Sequence, residues 1–184
     1  MVKEGEEGKG IDIPKLEFRY TEVSDGKYLK KWLLEPEVQR WFPMYDGVEI
    51  EDAVGRWISF SRYKCSLTAV YEGEPCGLAT LYLQPYKKLA HQCEFGIIVG
   101  GGYRGKGVGS ELIQNLEHLA KDRFKIELLH LQVYDGNPAV NLYSRLGFVE
   151  FGRQSHWIKE EGDKFGIKAE GNKYVARIFM EKFL

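Results

Sequence analysis

The sequence predicts an α/β sandwich with a mostly antiparallel sheet, and three observations carry that expectation. Helix-type periodicity gives way to strand-type alternation at Cys65. Two β-rich runs then flank Glu72-Gly73-Glu74-Pro75, the composition of a hairpin turn. From there strands and helices interleave, giving the order β-α-α-β-β-β-α-β-α-β-β. No repeat or linker interrupts the chain, so its 184 residues read as one domain over 15–184 behind a flexible leader, 1–14.

Each element has its own signal. "LEFRYTEV" alternates as a first strand, and Ser24 or Asp25 then offers a short oxygen side chain to cap a helix. Leu29, Trp32 and Leu33 follow at helical spacing until Pro36 interrupts, and "EVQRWF" makes a second short helical or irregular piece ending at Pro43. "EIEDAVGRWISFSRY" sets Ile50, Val54, Trp57, Ile58 and Ser61 on one stripe, an amphipathic helix. After the hairpin, "HQCEFGIIVG" is a third β-run that delivers the chain into a glycine loop. Ser110 to Asp122 reads as a helix burying Leu112, Ile113, Leu116, Leu119 and Ala120. "KIELLHLQVY" is a strand, and Pro138 opens a last helix that Gly147 closes in the C′ position. "FVEFGRQSHWI" and "KYVARIFMEKF" are closing strands, joined by a polar, glycine-broken hairpin loop.

Composition narrows the function classes. Hydrophobic residues make up 43%, enough for a packed core, while 26 lysines and arginines against 27 acids argue against a nucleic-acid binder. No apolar run approaches the roughly 18 residues of a membrane helix, and the charged Met1–Gly10 segment lacks the apolar core of a secretory signal. Cys65, Cys76 and Cys93 are odd in number and lack metal spacing, as the four histidines do. The expectation is a cytoplasmic protein with reduced thiols and no metal.

The chemistry is concentrated in "IIVGGGYRGKGVGSELI", which overlays three phosphate-binding patterns. Gly100-x4-Gly105-Lys106 approaches a P-loop, but the next residue is Gly107, where a magnesium-binding hydroxyl is required. Gly100, Gly102 and Gly105 spell a dinucleotide fingerprint, which needs an acid about 20 residues on at a strand end. Glu127 lies at the wrong end of its strand and Asp135 lies too far along. The third pattern, Arg104-x-x-Gly107-x-Gly109, asks only for what is present. Glycines 105, 107 and 109 permit close backbone approach, a helix near Val108 aims its positive end at an anion, and Arg104 and Lys106 add charge. On this reading Gly100 to Gly102 are a flexible turn.

That loop, followed by "NPAVNLYSRLGF" over Asn137–Phe148, resembles the GNAT acetyltransferase superfamily from Leu16 to Leu184. The family's loop signature is Gln/Arg-x-x-Gly-x-Gly/Ala, and its second signature runs Asn, Ala, Leu-Tyr, Leu-Gly-Phe. The resemblance implies the GNAT fold, a mixed six- to seven-stranded sheet flanked by about four helices. It implies acetyl-CoA as co-substrate and direct transfer of acetyl to a primary amine in a ternary complex. It places the pyrophosphate on Arg104, Gly105, Lys106, Gly107, Val108, Gly109 and Ser110, and pairs the pantetheine with the main chain of Ile97, Ile98 and Val99. Val99 would also help orient the acetyl group, and Asn137 would bond the pantetheine or a water near it. Tyr143 would protonate the departing thiolate, since a phenol with a pKa near 10 is a proton donor at neutral pH.

The base stays open between Glu94, directly or through water, and ordered water alone. Relatives with a glutamate on this strand often carry it one residue earlier, where this chain has Cys93, and a one-residue step flips the face. Cys93 itself reads as a small buried hydrophobe rather than a nucleophile. "LLEPEVQRWFP" resembles the acceptor wall of ribosomal-protein N-terminal, spermidine and aminoglycoside acetyltransferases. Glu35, Glu37, Asp46, Glu49, Glu51 and Asp52 beside it favour a small cationic acceptor, with Trp32, Trp41, Phe42 and Tyr45 as core or as an aromatic wall. A peptide N-terminus, or a regulatory domain that binds CoA without transferring, are the alternatives. A monomer and a homodimer are both compatible, and the segment 159–172 is a candidate cap or dimer contact.

Overall fold

A computed structural model describes residues 11–159 and 174–184. Residues 1–10 of the expected leader and 160–172 of the expected loop lie outside the described residues. Seven strands form one sheet in the order β1-β2-β3-β4-β5-β7-β6. They are β1 (Leu16–Tyr20), β2 (Ser66–Tyr71), β3 (Glu74–Tyr82), β4 (Gln92–Val99), β5 (Leu128–Tyr134), β6 (Val149–Lys159) and β7 (Tyr174–Phe183). Among the described residues five α-helices accompany them: α1 (Gly26–Leu33), α2 (Pro36–Gln39), α3 (Gly47–Ser59), α4 (Val108–His118) and α5 (Ala139–Arg145). All neighbours are antiparallel except β4 and β5.

Local chemistry sets the connections. Glu72 and Gly73 both have positive φ, which closes the β2–β3 hairpin in two residues. Asp46 caps α3 by accepting from the Val48 and Glu49 amides at 2.9 Å each. Gly147, at φ +91°, ends α5 as its C′ spacing predicts. The apolar stripes then sandwich the sheet. Leu112, Ile113, Leu116 and Ala120 of α4 and its extension pack with Leu81, Phe95, Leu129 and Met180 on one face. Leu29, Trp32 and Leu33 of α1 and Ile50 and Ile58 of α3 pack with Leu78 and Ile98 on the other.

Asp25 ties α1 to the sheet. Almost fully buried, it takes both Nη1 and Nη2 of Arg19 at 2.7 Å, the Thr68 hydroxyl at 2.9 Å and the Glu22 amide at 2.9 Å. Ile11 packs against the core, and the Asp12 amide reaches the Tyr71 hydroxyl at 3.4 Å, so the chain is in contact before Leu16. No described helix is long and apolar enough to cross a membrane.

Candidate active site

The sheet opens at its one parallel pair. β4 and β5 are paired only over Gln92–Glu94 and Leu128–His130, after which β4 continues to Val99 and β5 to Tyr134 without pairing to each other. β4 stays paired to β3 and β5 to β7, so the gap is bordered by main-chain groups on two rigid edges. A cleft of about 510 Å³ fills the gap. On the α4–α5 side it is lined by Gly105, Gly107, Gly109, Ser110, Asn137 and Tyr143. On the α2 side it is lined by Val38, Trp41 and Phe42, with Gln132 of β5 between. The opening therefore joins the two faces of the sheet.

The glycine loop has the conformation its sequence predicts. Gly105 and Gly107 sit at φ +70° and +89°, which L side chains rarely adopt. The Ser110 and Glu111 amides donate to the Gly107 carbonyl, leaving Val108 and Gly109 as the unbonded amides of the first turn of α4. Those two amides and the helix dipole make an anion cradle. A Cβ on Gly109 would stand 3.2 Å from Leu142, and one on Gly107 would stand 3.0 Å from Ile13. Ile97, Ile98, Val99, Arg104 and Gly105 line the cleft with these residues. Lys106 does not line it, and the Val108 side chain is 1% exposed in the core, so Val108 has only its amide to offer.

Arg104 is engaged rather than free. Its Nε donates to the Val99 carbonyl at 2.8 Å, and its Nη2 donates to Glu35 at 2.8 Å. The same carboxylate accepts from the Gly101 amide at 3.1 Å. Arg104 thus links the α1–α2 connection to the end of β4, and the Val99 carbonyl expected to orient an acetyl group already has this donor. The first glycines are also more than a flexible turn. A Cβ on Gly100 would fall 2.6 Å from Trp32 Nε1, and one on Gly101 would fall 2.8 Å from Glu35. Trp32 of α1 and Glu35 of the connection after it lie against them.

Tyr143 is buried in the cleft wall, edge-on to Phe95 (6.3 Å between centroids) and to Phe148 (6.1 Å). Burial pushes its phenol well above the ordinary range, so it keeps its proton. Asn137 accepts from the Ala139 amide at 2.9 Å, which starts α5 and leaves its amide nitrogen for the cleft. Glu94 faces away from Cys93, as alternation requires. Cys93 is fully buried in the α4-side core, where burial pushes its thiol up to about 12. Glu94 lies behind the cleft wall and accepts from Gln132 Nε2 at 2.9 Å, and Gln132 lines the cleft. Opposite it in register is His130, whose Nε2 lies 2.6 Å from Gln92 Oε1. Burial lowers the His130 pKa despite the Glu94 and Glu181 carboxylates, so the ring is neutral at pH 7.

A sequence model of the acetyltransferase (GNAT) family matches residues 27–148. The chain belongs to that family. It is similar to L-amino acid N-acetyltransferase AaaT of Escherichia coli (strain K12), 25% identical over 117 residues, which are 63% of this chain and 66% of that protein. The chain thus spans just under two thirds of that relative's length. Among solved structures it resembles the ribosomal-protein-alanine N-acetyltransferase of Brucella melitensis, with a TM-score of 0.68 and 25% identity over 91% of this chain and 99% of that one. It also shares its fold with yncA of Salmonella typhimurium, solved with its cofactor acetyl-CoA, with a TM-score of 0.71 and 15% identity over 92% of this chain and 94% of that one.

Within this GNAT chain the acidic segment differs from the open wall its sequence suggests. Glu35 is held by Arg104, Asp46 caps α3, and Glu49 accepts from the Tyr45 amide at 2.6 Å. Glu51 pairs with Lys30, and Asp52 pairs with Arg56 at 2.6 Å. Of the six acids only Glu37 lines the cleft. Trp41 and Phe42 do form an aromatic wall, while Trp32 is core and Tyr45 is exposed. Gln132, Phe95, Leu142 and Arg145 line the cleft without having been anticipated. The only signal for Gln132 was the polar alternation of His130 and Gln132 in "LLHLQVY", unusual in a central strand.

Proposed function

We propose that this protein transfers acetyl from acetyl-CoA directly to a primary amine. The reading rests on the gap between β4 and β5, which connects a glycine-lined anion cradle on one face of the sheet with the Glu94–Gln132 pair on the other. The residues present fit an acyl-CoA. The amides of Val108 and Gly109 suit its pyrophosphate, and the exposed edge of Ile97 to Val99 suits the amides of its pantetheine arm. A side chain at 109 would run into Leu142 of the cleft wall, and one at 107 into Ile13 outside it. Membership of the family supports the same co-substrate.

The chain's own groups divide the work. Asn137 presents its amide nitrogen to the arm. Tyr143 holds a proton in an apolar wall, ready for the sulfur as the carbon–sulfur bond breaks and the carbon–nitrogen bond forms. The nitrogen's surplus proton leaves toward Glu94 by way of a water at Gln132, because Glu94 stands behind the wall. Arg104, tied to Glu35 and Val99, braces the cradle rather than neutralising the pyrophosphate. The acceptor enters past Trp41 and Phe42 as a small amine, and Glu37, 3.8 Å from Arg104 and largely exposed, is the acid of that segment on its way.

Thermal melting with acetyl-CoA, CoA, ATP and NAD tests the cradle. Stabilisation by acetyl-CoA and CoA but not by the other two is expected, and no shift with either thioester or thiol would refute the reading. Thiol release over a panel of amino acids, polyamines, aminoglycosides and N-terminal peptides then tests transfer. Stabilisation without thiol release from any amine would make the protein a CoA-binding regulator instead.

A further inference from the structure

Among the described residues Arg177 is a partly buried cation with no carboxylate in ion-pair contact. Other arginines in or near the core have theirs: Arg19 holds Asp25 and Arg104 holds Glu35. On the surface, Arg153 holds Asp135 and Glu150. Among the described residues Arg177 has no such partner, and its Nε, closed off from water, donates to nothing. Its guanidinium carbon lies 4.9 Å from the Trp157 ring centroid and 6.0 Å from that of Tyr134. Two aromatic rings flank a planar, permanently charged group, and that orients it without neutralising it. Burial pushes the Arg177 pKa down, and Tyr134 and the Glu94 carboxylate oppose it without reversing it. Desolvating an unpaired charge is costly, and a ligand anion would relieve that cost.

Its place in the sheet says which ligand. Tyr134 pairs with Arg177 and Gln132 pairs with Phe179, while the intervening Ile178 points into the α4-side core. Arg177 therefore shares a face with Gln132, the residue that joins the cleft to Glu94. One strand spacing and two residue positions separate their Cα atoms, roughly 5 Å across and 7 Å along. A long arginine side chain covers that offset. The amine end of the acceptor site and a free guanidinium thus lie within reach of one small molecule.

We infer that Arg177 is the anion-binding half of the acceptor subsite, and that the acceptor is an amine carrying a carboxylate a few bonds from its nitrogen, as an amino acid does. The inference rests on the transfer reading above. A zwitterion places its ammonium toward Glu94 and Gln132 and its carboxylate, two-pronged, on the guanidinium. A polyamine or an aminoglycoside brings no anion and meets Arg177 as a like charge.

Matched pairs with and without the carboxylate test it: L-leucine against isoamylamine, and L-tyrosine against tyramine. Wild-type kcat/KM is expected to favour the amino acid by roughly 10- to 100-fold, the range of a charged hydrogen-bonded pair. In Arg177→Gln the ratio within each pair should collapse toward one, chiefly through the KM of the amino acid, and Arg177→Lys should recover part of it. Equal or better use of the decarboxylated amines by the wild type would overturn the inference, whatever the variants do. So would an unchanged ratio in a folded Arg177→Gln, or turnover confined to polyamines. Failure of every amine would instead refute acetyl transfer itself.

Discussion

Arg104 and Glu35 form a clasp across two segments 69 residues apart, with Nη2 at 2.8 Å from the carboxylate while Nε holds the Val99 carbonyl at 2.8 Å. It fixes the α1–α2 connection to the end of β4, where the glycine loop begins. Both side chains are about a third exposed, so the clasp is a moderate stabiliser. Glu35→Ala should cost about 1 kcal/mol in urea unfolding and weaken acetyl-CoA binding several-fold in calorimetry, since the Gly101 amide loses its acceptor as well. Unchanged binding would show that the clasp serves stability alone.

The glycines should differ in what they tolerate. Gly107→Ala forces an L residue to φ +89° against Ile13, so a loss of about 1–2 kcal/mol and of most acetyl-CoA affinity is expected. Gly100→Ala drives a methyl into Trp32 and should cost about 1–3 kcal/mol. Gly102→Ala meets nothing within 4 Å and should leave melting temperature and affinity near wild type. Three equal effects would contradict this account of the loop.

Tyr143→Phe keeps the ring contacts with Phe95 and Phe148, so its melting temperature should stay close to wild type. If Tyr143 protonates the sulfur, kcat should fall by about 100-fold where chemistry limits turnover. Because burial raises its pKa, the phenol stays protonated as pH rises, and no alkaline loss of the wild-type rate below pH 10 should trace to it. Full turnover in the phenylalanine variant would remove the role.

Asp25 makes an acid-side prediction. Burial alone would push its carboxyl up, but Arg19, the Glu22 amide and the Thr68 hydroxyl outweigh that and hold it below the usual carboxylate range. A depressed folded pKa contributes stability above the unfolded value near 3.9, and that contribution is lost as pH falls through the folded pKa. Asp25→Asn should therefore cost about 2–3 kcal/mol at pH 7, with the gap from wild type narrowing as pH falls below 4 in urea titrations. A constant gap would mean that shape, not charge, is what Asp25 supplies.

The sequence by itself determined the succession of strands, the turn at Glu72-Gly73, the stop at Gly147 and, of the three loop glycines 105, 107 and 109, the two that are left-handed, 105 and 107, while the structure adds α2 as a third helix between β1 and β2. These follow from local sterics and hydrophobic period, which a short window contains. The Asn137–Phe148 signature was legible for the same reason, and with the glycine loop it gave the family. Tertiary structure decided what no window holds. Where β4 and β5 part depends on pairing between residues some 36 positions apart, and that parting makes the cleft. The acids of α1 to α3 looked like a lure for cations, yet each has a partner and of the six only Glu37, 3.8 Å from Arg104, lines the cleft, because partners such as Arg104 come from distant segments. Gly100 looked free and is in fact packed on Trp32. Arg177 stood out only once its strand was placed beside β5, where charge, aromatic rings and the missing carboxylate could be seen together. Backbone conformation is a local property, whereas whether a charge is paired depends on what the folded chain brings within about 4 Å of it.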